Sequence, residues 1–283
     1  MRRKYIIICA VFLGLVVISC NNANKRQQTG NSGAAINTLS VKDSTAGKQV
    51  ANTTAHVFAK PEVPVLCYHR IEDGPKSDYR VSPATFTSHM KILADSGYHA
   101  ISPAQLYDYL VYNRTLPDKP FMITFDDSRV EHALIAAPVM EKYGFRGVFF
   151  IMTITYNKKN YMTTDQIAQL AKAGHTVGLH SWDHTMVTKY KDAADWQKQV
   201  EAPKKKLEGI VGKAVEYWAY PNGVYDHKGA DELSKYFKLS FTLYSKRDSM
   251  LPLQTVRRLL VTECNSQGLL KSLHRAFTKK TGS

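Results

Sequence analysis

Phe121-Met122-Ile123-Thr124-Phe125-Asp126-Asp127-Ser128 is an apolar run that stops on two adjacent carboxylates. A short apolar run without turn formers suits a strand buried on both faces, the kind found in parallel sheets. Neighbouring residues of an extended chain point to opposite sides, so a single ion seldom takes both aspartates in the same way. One of them can ligate a metal while the other works as a base. The plainer reading is a strand followed by a helix cap, with Asp127 or Ser128 as N-cap.

On both sides of this strand the chain alternates. Upstream, residues 63–68 read as a strand. Ser82-Pro83 then opens a helix carrying Phe86, Met90 and Leu93 at spacings of four and three, and Gly97 stops it. Serine as N-cap, proline at the first helical position and glycine beyond the end follow the usual asymmetry of helix termini. Residues 98–101 are a second strand, and Ser102-Pro103 repeats the cap-plus-proline signal. Downstream, strands are predicted over 148–152, 176–179, 217–220, 239–243 and 256–261. Helices are predicted over 130–143, 164–173, 193–211, 228–237 and 266–277. Alternating strands and helices argue for a parallel sheet covered by helices, and eight such units in about 220 residues have the size of a (β/α) barrel. A doubly wound open sheet is the alternative. It usually brings a glycine-rich turn after an early strand, and no G-x-G-x-x-G occurs.

Active groups in such a fold gather at the strand C-termini. Besides Asp126 and Asp127, two places qualify. In Gly178-Leu179-His180-Ser181-Trp182-Asp183-His184 two histidines stand four apart after a strand. In a helical turn that spacing puts both imidazoles on one side, and two histidines with one carboxylate and an open position form a zinc-hydrolase ligand set. In Tyr217-Trp218-Ala219-Tyr220-Pro221-Asn222-Gly223 the aromatic residues suit a sugar groove, or a strand followed by a tight turn.

Together the three segments resemble the polysaccharide deacetylase family, the NodB-type carbohydrate esterases. Thr124-Phe125-Asp126-Asp127 matches the family's T-F-D-D, and His180-Ser181-Trp182-Asp183-His184 matches H-[ST]-x-x-H. The resemblance extends over about residues 61–265 and implies a deformed (β/α) barrel of the sevenfold type. It implies a divalent metal, usually zinc, on Asp127, His180 and His184, with Asp126 as general base. Substrate would be met by Trp218, Tyr220, Pro221 and Asn222, the last through its backbone N–H as an oxyanion donor. Three departures stand out. Ser128 replaces the glycine that follows the aspartates. Ala219 replaces an arginine that in relatives orients the base. The late L-x-H histidine is missing, and His274 lies too deep in the last helix. The branch resembling poly-N-acetylglucosamine deacetylases carries the acid histidine on its first strand, in P-V-L-x-Y-H-x-I. Pro64-Val65-Leu66-Cys67-Tyr68-His69-Arg70-Ile71 matches it, which makes His69 the acid candidate.

The implied reaction is removal of N-acetyl groups from an N-acetylglucosamine-containing polysaccharide. Its rivals are an O-acetyl esterase acting on glycans and a carbohydrate-binding lipoprotein that has lost catalysis, the latter motivated by Ala219 and Ser128.

Met1-Arg2-Arg3-Lys4 followed by uncharged residues 5–18 has the form of a secretory signal peptide. Val17-Ile18-Ser19-Cys20 resembles a lipobox, which makes Cys20 the acylated first residue of a mature lipoprotein. Residues 20–60, polar and without periodicity, read as acylated Cys and flexible tether, and residues 61–283 as the domain. The expected setting is extracytoplasmic, on a membrane of the bacterial envelope, with the chain acting as a monomer. The 283 residues carry 38 Lys+Arg against 24 Asp+Glu, a net +14. Cutting residues 1–19 removes three positive charges and no acidic residue, leaving +11, which suits an anionic surface. No motif supports a nucleic-acid partner, and Lys204-Lys205-Lys206 suits a solvated helix face. A 44% hydrophobic fraction excludes wholesale disorder, and four cysteines exclude a disulfide scaffold. Cys67 and Cys264 fall near the first and last strands, where a disulfide could form outside the cytoplasm. Sixteen tyrosines suggest a surface that handles amphipathic rings.

Overall fold

Nine strands form one sheet in the computed structural model, which describes residues 50–244 and 246–277. They are β1 (Val65–Tyr68), β2 (His99–Ala100), β3 (Pro120–Phe125), β4 (Val148–Ile151), β5 (Thr176–Leu179), β6 (Tyr217–Ala219), β7 (Leu239–Thr242), β8 (Val256–Arg257) and β9 (Leu259–Leu260). Every pairing among them is parallel. The order is β8-β7-β6-β5-β4-β3-β1-β9, with β2 beside β3. Only Arg258 separates β8 from β9. The last segment therefore pairs with β7 through its first half and with β1 through its second, and the sheet returns on itself. Taken as one broken strand, β8 and β9 leave seven staves around a barrel, as the resemblance implies. A doubly wound sheet has two free edges and is excluded by this closure.

The helices cover the outside, and their ends follow local chemistry. The Ser82 hydroxyl accepts from the Thr85 N–H at the start of α2 (Pro83–Asp95). Ser102 with Gln105 forms a capping box on α3 (Pro103–Tyr112), as does Thr163 with Gln166 on α5 (Thr164–Lys172). Two of the predicted helices contain a π turn. His132–Ala136 precedes α4 (Ala137–Lys142), and Gln197–Glu201 joins α6 (Ala193–Trp196) to α7 (Ala202–Val211). Each lies just before a proline, Pro138 and Pro203. A proline ring clashes with the carbonyl four residues earlier and offers no N–H, so a widened turn accommodates it. The remaining helices are α8 (His227–Leu233) and α9 (Ser266–Phe277).

Side chains divide by strand parity. Val65, Met122, Phe150, Ala219, Phe241 and Val256 pack together inside the barrel. Leu66, Phe125, Phe149, Leu179 and Trp218 face the helices. Phe125 and Phe149 stack at 4.9 Å in that outer layer. The barrel's lower end, where the strands begin, is closed by α1 (Thr54–Ala59) and α3, whose Val57, Leu106 and Leu110 join the interior cluster.

The segment read as a tether is therefore structured from residue 50. The Thr53 side chain caps α1, Val57 is buried, and Asn52 donates to the carbonyls of Leu110 and Val111. One buried apolar residue and one asparagine suffice to seat it, too few to register as a periodicity. The signal peptide, Cys20 and the rest of the tether lie outside the described residues.

His132 gives the fold a titratable weak point. It is fully buried beside Phe125, its Nε2 pairs with the His69 carbonyl, and its Nδ1 has no hydrogen-bond partner. Burial lowers its pKa from 6.5 to about 4. The unfolded chain then binds the proton more readily, so stability is complete above pH 6.5 and is lost as the pH falls towards 4. The loss should approach about 3 kcal/mol by urea unfolding with a chelator present. In His132→Gln its own share of that slope should vanish, leaving the part due to His69, His89, His175 and His184, which burial also lowers.

Candidate active site

A cleft of about 500 Å³ opens at the upper end of the barrel, where the strands finish. His69, Tyr79, Asp126, Asp127, His184 and Asn222 are among its lining residues. Their arrival follows from strand parity. Val65 and Met122 point inward, so two-residue steps aim Cys67, His69, Thr124 and Asp126 inward as well.

Asp126 is buried and its carboxylate is gripped by Arg258. Nη1 donates to Oδ1 at 2.7 Å and Nη2 to Oδ2 at 2.8 Å. Nη1 also donates to Thr124 Oγ1 at 3.2 Å, and the Thr124 hydroxyl donates to the Leu66 carbonyl. Burial alone would raise the Asp126 pKa. Arg258, helped by His180 and His69, outweighs it and holds the carboxyl well below the ordinary carboxylate range. The arginine missing at Ala219 is thus supplied from the closing strand. Ala219 and Arg258 both lie at inward positions near the same end of the barrel. Asp126 is fully oriented, contrary to the expectation raised by Ala219. The signal was available in the sequence: Val256-Arg257-Arg258 alternates, and a strand that points Val256 inward points Arg258 inward too.

Oδ2 of Asp126 faces three further groups. His69 Nε2 is 3.8 Å away and His180 Nε2 4.0 Å. The Cys67 thiol donates to it at 3.6 Å. Burial lowers the His69 pKa against the pull of Asp126, so the ring is neutral near pH 7. Burial raises the Cys67 thiol well above its usual value. Cys67 and Cys264 are both free, so the disulfide that their positions left open does not form; Cys67 faces Asp126, while the Cys264 sulfur lies 3.7 Å from His89.

Asp127 leaves the strand with φ 71° and Ser128 follows at 58°. These two left-handed steps turn Asp127 away from Asp126 and towards the histidines. Its Oδ1 lies 3.5 Å from both His180 Nε2 and His184 Nε2. Ser128 is buried, and its hydroxyl accepts the Met152 N–H at 2.7 Å, so the residue standing where a glycine is usual gains a bond from the position. The histidine pair is brought together by a turn. Ser181 and His184 have positive φ and the Ser181 hydroxyl accepts the His184 N–H, so the predicted helical turn is replaced by a tighter loop with the same outcome.

The donor set fits a divalent metal. One ligand atom from each of Asp127, His180 and His184 lies within 4.8 Å of the others. Asp127 Oδ1 and His180 Nε2 are buried with no hydrogen-bond partner, the condition of atoms that await a cation. His180 Nδ1 is 2.8 Å from the Ala219 carbonyl, which fixes the proton there and leaves Nε2 free to ligate.

Of the four residues expected to meet substrate, Asn222 lines the cleft and is exposed. Trp218 and Tyr220 are fully buried on the outward face of their strand, Trp218 against Phe237 and Tyr220 donating its hydroxyl to the Gln254 carbonyl. Neither reaches the cleft, because the parity that sends Ala219 inward sends them out to the helices. Pro221 is buried too. Gly223 has φ 67° and touches Leu243 so closely that any Cβ there would collide with it, which fixes the turn that presents Asn222.

Comparison with known proteins agrees with this site. Residues 113–237 match the polysaccharide deacetylase family. That segment holds Asp126, Asp127, His180, His184 and Asn222, while His69 and Arg258 lie outside it. A Bacillus subtilis protein described as a polysaccharide deacetylase, YxkH, is 28% identical over 167 residues; the match spans 59% of this chain and 59% of that relative's length. Among solved structures, the Streptococcus pyogenes deacetylase PplD in complex with acetate superposes with a TM-score of 0.69 at 21% identity, covering 76% of this chain and 99% of its own. IcaB from Ammonifex degensii gives 0.62 at 27% identity, covering 77% of this chain and 98% of its own. Barrel, motif residues and matched segment coincide, and over residues 113–237 the chain is similar to the polysaccharide deacetylase family.

Proposed function

We propose that this chain is a metal-dependent hydrolase that removes N-acetyl groups from an N-acetylglucosamine-containing polysaccharide at the bacterial cell envelope. The observation that carries the reading is a buried carboxylate, Asp126, locked by Arg258 beside the converging Asp127, His180 and His184 at the floor of an open cleft.

A divalent ion on Asp127, His180 and His184, zinc by the nature of two imidazoles and one carboxylate, would supply Lewis-acid charge for the acetyl carbonyl and for water. The chain's own groups do the rest. Asp126 stays ionised and offers Oδ2, the oxygen facing His69 and His180, to a proton of the attacking water. His69 begins neutral, so the proton that it gives the departing amine has to arrive during the reaction. Asp126 Oδ2, 3.8 Å away, is its source. The Asn222 backbone N–H, at the cleft wall, donates to the developing oxyanion. The balance closes: one proton leaves water for Asp126, passes to His69 and reaches the nitrogen as the C–N bond breaks, the second water proton leaves the new carboxylic acid for the amine or the solvent, and acetate carries the new C–O bond.

The match of residues 64–71 to P-V-L-x-Y-H-x-I favours the poly-N-acetylglucosamine branch. The non-catalytic reading rested on Ala219 and Ser128, and Arg258 and the Ser128 hydroxyl answer both. The lipobox-like Cys20 favours an envelope anchor. The chain enters the barrel through α1, at the end away from the cleft.

Acetate release from N-acetylglucosamine oligomers should be abolished by a chelator and restored by zinc. Asp126→Asn should lower kcat by about 10²–10⁴-fold while metal content stays near one per chain. Acetate release at the parent rate from that variant would remove Asp126 as base. Arg258→Lys keeps the charge but loses the two-pronged grip, and kcat should fall by about 10²-fold with metal content again unchanged. Cys20→Ser should move the chain from the membrane fraction to the soluble one, read by fractionation and blotting.

A further inference from the structure

Among the described residues two groups of three metal-ligating side chains converge. One is Asp127, His180 and His184. The other is Cys67, His69 and Asp126, all buried, and the reaction leaves Cys67 without a task. The sheet places them. Cys67 on β1 stands opposite Thr124 on β3, and the Asp126 N–H donates to the Tyr68 carbonyl, so the pairing runs on past the ends of both strands. His69 is the next inward step after Cys67, and Asp126 is the next after Thr124. His69 and Asp126 line the cleft, with the thiol one step further down the barrel.

The three donors form a small triangle. The Cys67 sulfur is 3.6 Å from Asp126 Oδ2 and 3.9 Å from His69 Nδ1, and His69 Nε2 is 3.8 Å from the same Oδ2. Ligand atoms around a tetrahedral zinc that carries one thiolate stand roughly 3.3–3.5 Å apart, from bonds of about 2.0 and 2.3 Å. The thiol meets the imidazole at one nitrogen and the carboxylate meets it at the other. Among the described residues neither ring nitrogen has an oxygen or nitrogen partner within hydrogen-bond distance, so no such bond opposes the turn that brings one nitrogen to both neighbours. One atom from each residue already lies within 4.8 Å of the others. Oδ2 accepts from Arg258 Nη2, and a carboxylate oxygen has a second lone pair to offer.

We infer that Cys67, His69 and Asp126 form a second, inhibitory cation site for a thiolate-seeking divalent ion, zinc or cadmium. As the sulfur–metal bond forms, the thiol proton leaves for the solvent; Asp126 and the His69 imidazole each supply a lone pair. A thiolate in the set selects soft ions over magnesium or calcium, which seek oxygen. This site fills second. Arg258 sits against Oδ2, and His180 Nε2, which faces the Asp127 ion, is only 4.0 Å from it, so both positive charges oppose the second ion. Once bound, that ion takes the oxygen that receives the proton of water and the imidazole that protonates the amine. The effect on rate rests on the deacetylase reading of the cleft; the binding does not.

The test takes the full chain, stripped by a chelator, and titrates it with cadmium alone. The first equivalent should bind without an ultraviolet thiolate-to-cadmium charge-transfer band, because Asp127, His180 and His184 contain no sulfur. The band should appear with a second equivalent that binds about 10²-fold more weakly. It should be lost in Cys67→Ser, whose first equivalent still binds and so reports a folded chain. Acetate release from N-acetylglucosamine oligomers should peak near one equivalent of zinc and fall at least about tenfold as the second binds. Cys67→Ser keeps a donor towards Asp126, and it should need at least about tenfold more zinc for the same fall. A band that arrives with the first equivalent, no band at the second, or a band that persists in Cys67→Ser would overturn the site. The band without a fall in acetate release would overturn the inhibition. The band in a chain that releases no acetate at any zinc level would uphold the cation site and end the deacetylase reading.

Discussion

The pair of Arg258 and Asp126 joins the architecture to the chemistry. Two N–H groups meet two carboxylate oxygens at 2.7 and 2.8 Å in surroundings that leave almost none of either side chain exposed. A pair this dry adds little net stability, because desolvating both charges costs about as much as their attraction returns. Its effect is commitment. Either partner alone would be an unpaired buried charge, worth about 3–5 kcal/mol against folding. Arg258 is also the one residue between β8 and β9, where the closing strand changes its partner from β7 to β1. Its own N–H is spent on the Thr242 carbonyl, and three residues further on the Val261 N–H reaches the Cys67 carbonyl. Closing the barrel and orienting the carboxylate are therefore one event.

The grip has a chemical consequence. A carboxylate held so far below its usual range is a poor base towards free water, and Brønsted behaviour says such a base works only where the water has been made more acidic. That requirement is met by position, since the oxygen facing His69 also faces His180, whose Nε2 is bare. The guanidinium is supported from below by Phe150, its carbon 5.5 Å from the ring centre. Phe150 in turn occupies space left by Gly178, where a Cβ would come within 2.6 Å of the ring and 2.9 Å of the Tyr217 carbonyl. A glycine in a central strand usually weakens it; here its missing side chain makes room for the ring beneath the arginine.

What was legible in the sequence was local. The strand ending in Asp126-Asp127, the capped helix starts at Ser82 and Ser102 and the histidine spacing are each contained in a few residues, and local periodicity with cap chemistry reads them. What was not legible depended on parity or on distance. Trp218 and Tyr220 flank Ala219, and their aromatic character suggested a sugar groove, though alternate positions of one strand face different layers. Arg258 lies 132 positions from Asp126, and no local pattern pairs them. The predicted strand over 256–261 hid the break at Arg258 that closes the barrel. Residues 50–60 were lost to the tether because α1 is anchored by Val57 and Asn52 rather than by a repeating apolar face.

Asp126 and Asp127 show how adjacent identical side chains come to differ. Asp126 is still on the strand's alternation and is aimed into the barrel, where Arg258 waits. Asp127 stands one residue later, and φ 71° there with 58° at Ser128 sends it out of the alternation. For residues with a Cβ such steps cost about 1–2 kcal/mol each. The bond that the Ser128 hydroxyl accepts from Met152, at the end of β4, returns part of that and ties the turn to the neighbouring strand. The histidines come from the end of β5, two staves from β3 with β4 between them, so the turn has to carry Asp127 across the end of β4 to stand 3.5 Å from both. Had the chain stayed extended, Asp127 would have pointed away from the barrel axis into the helical layer, and the two histidines would face each other with no anionic ligand between them. The strain is thus spent on separating two like charges into two jobs, one paired with a guanidinium and one left bare towards two imidazoles.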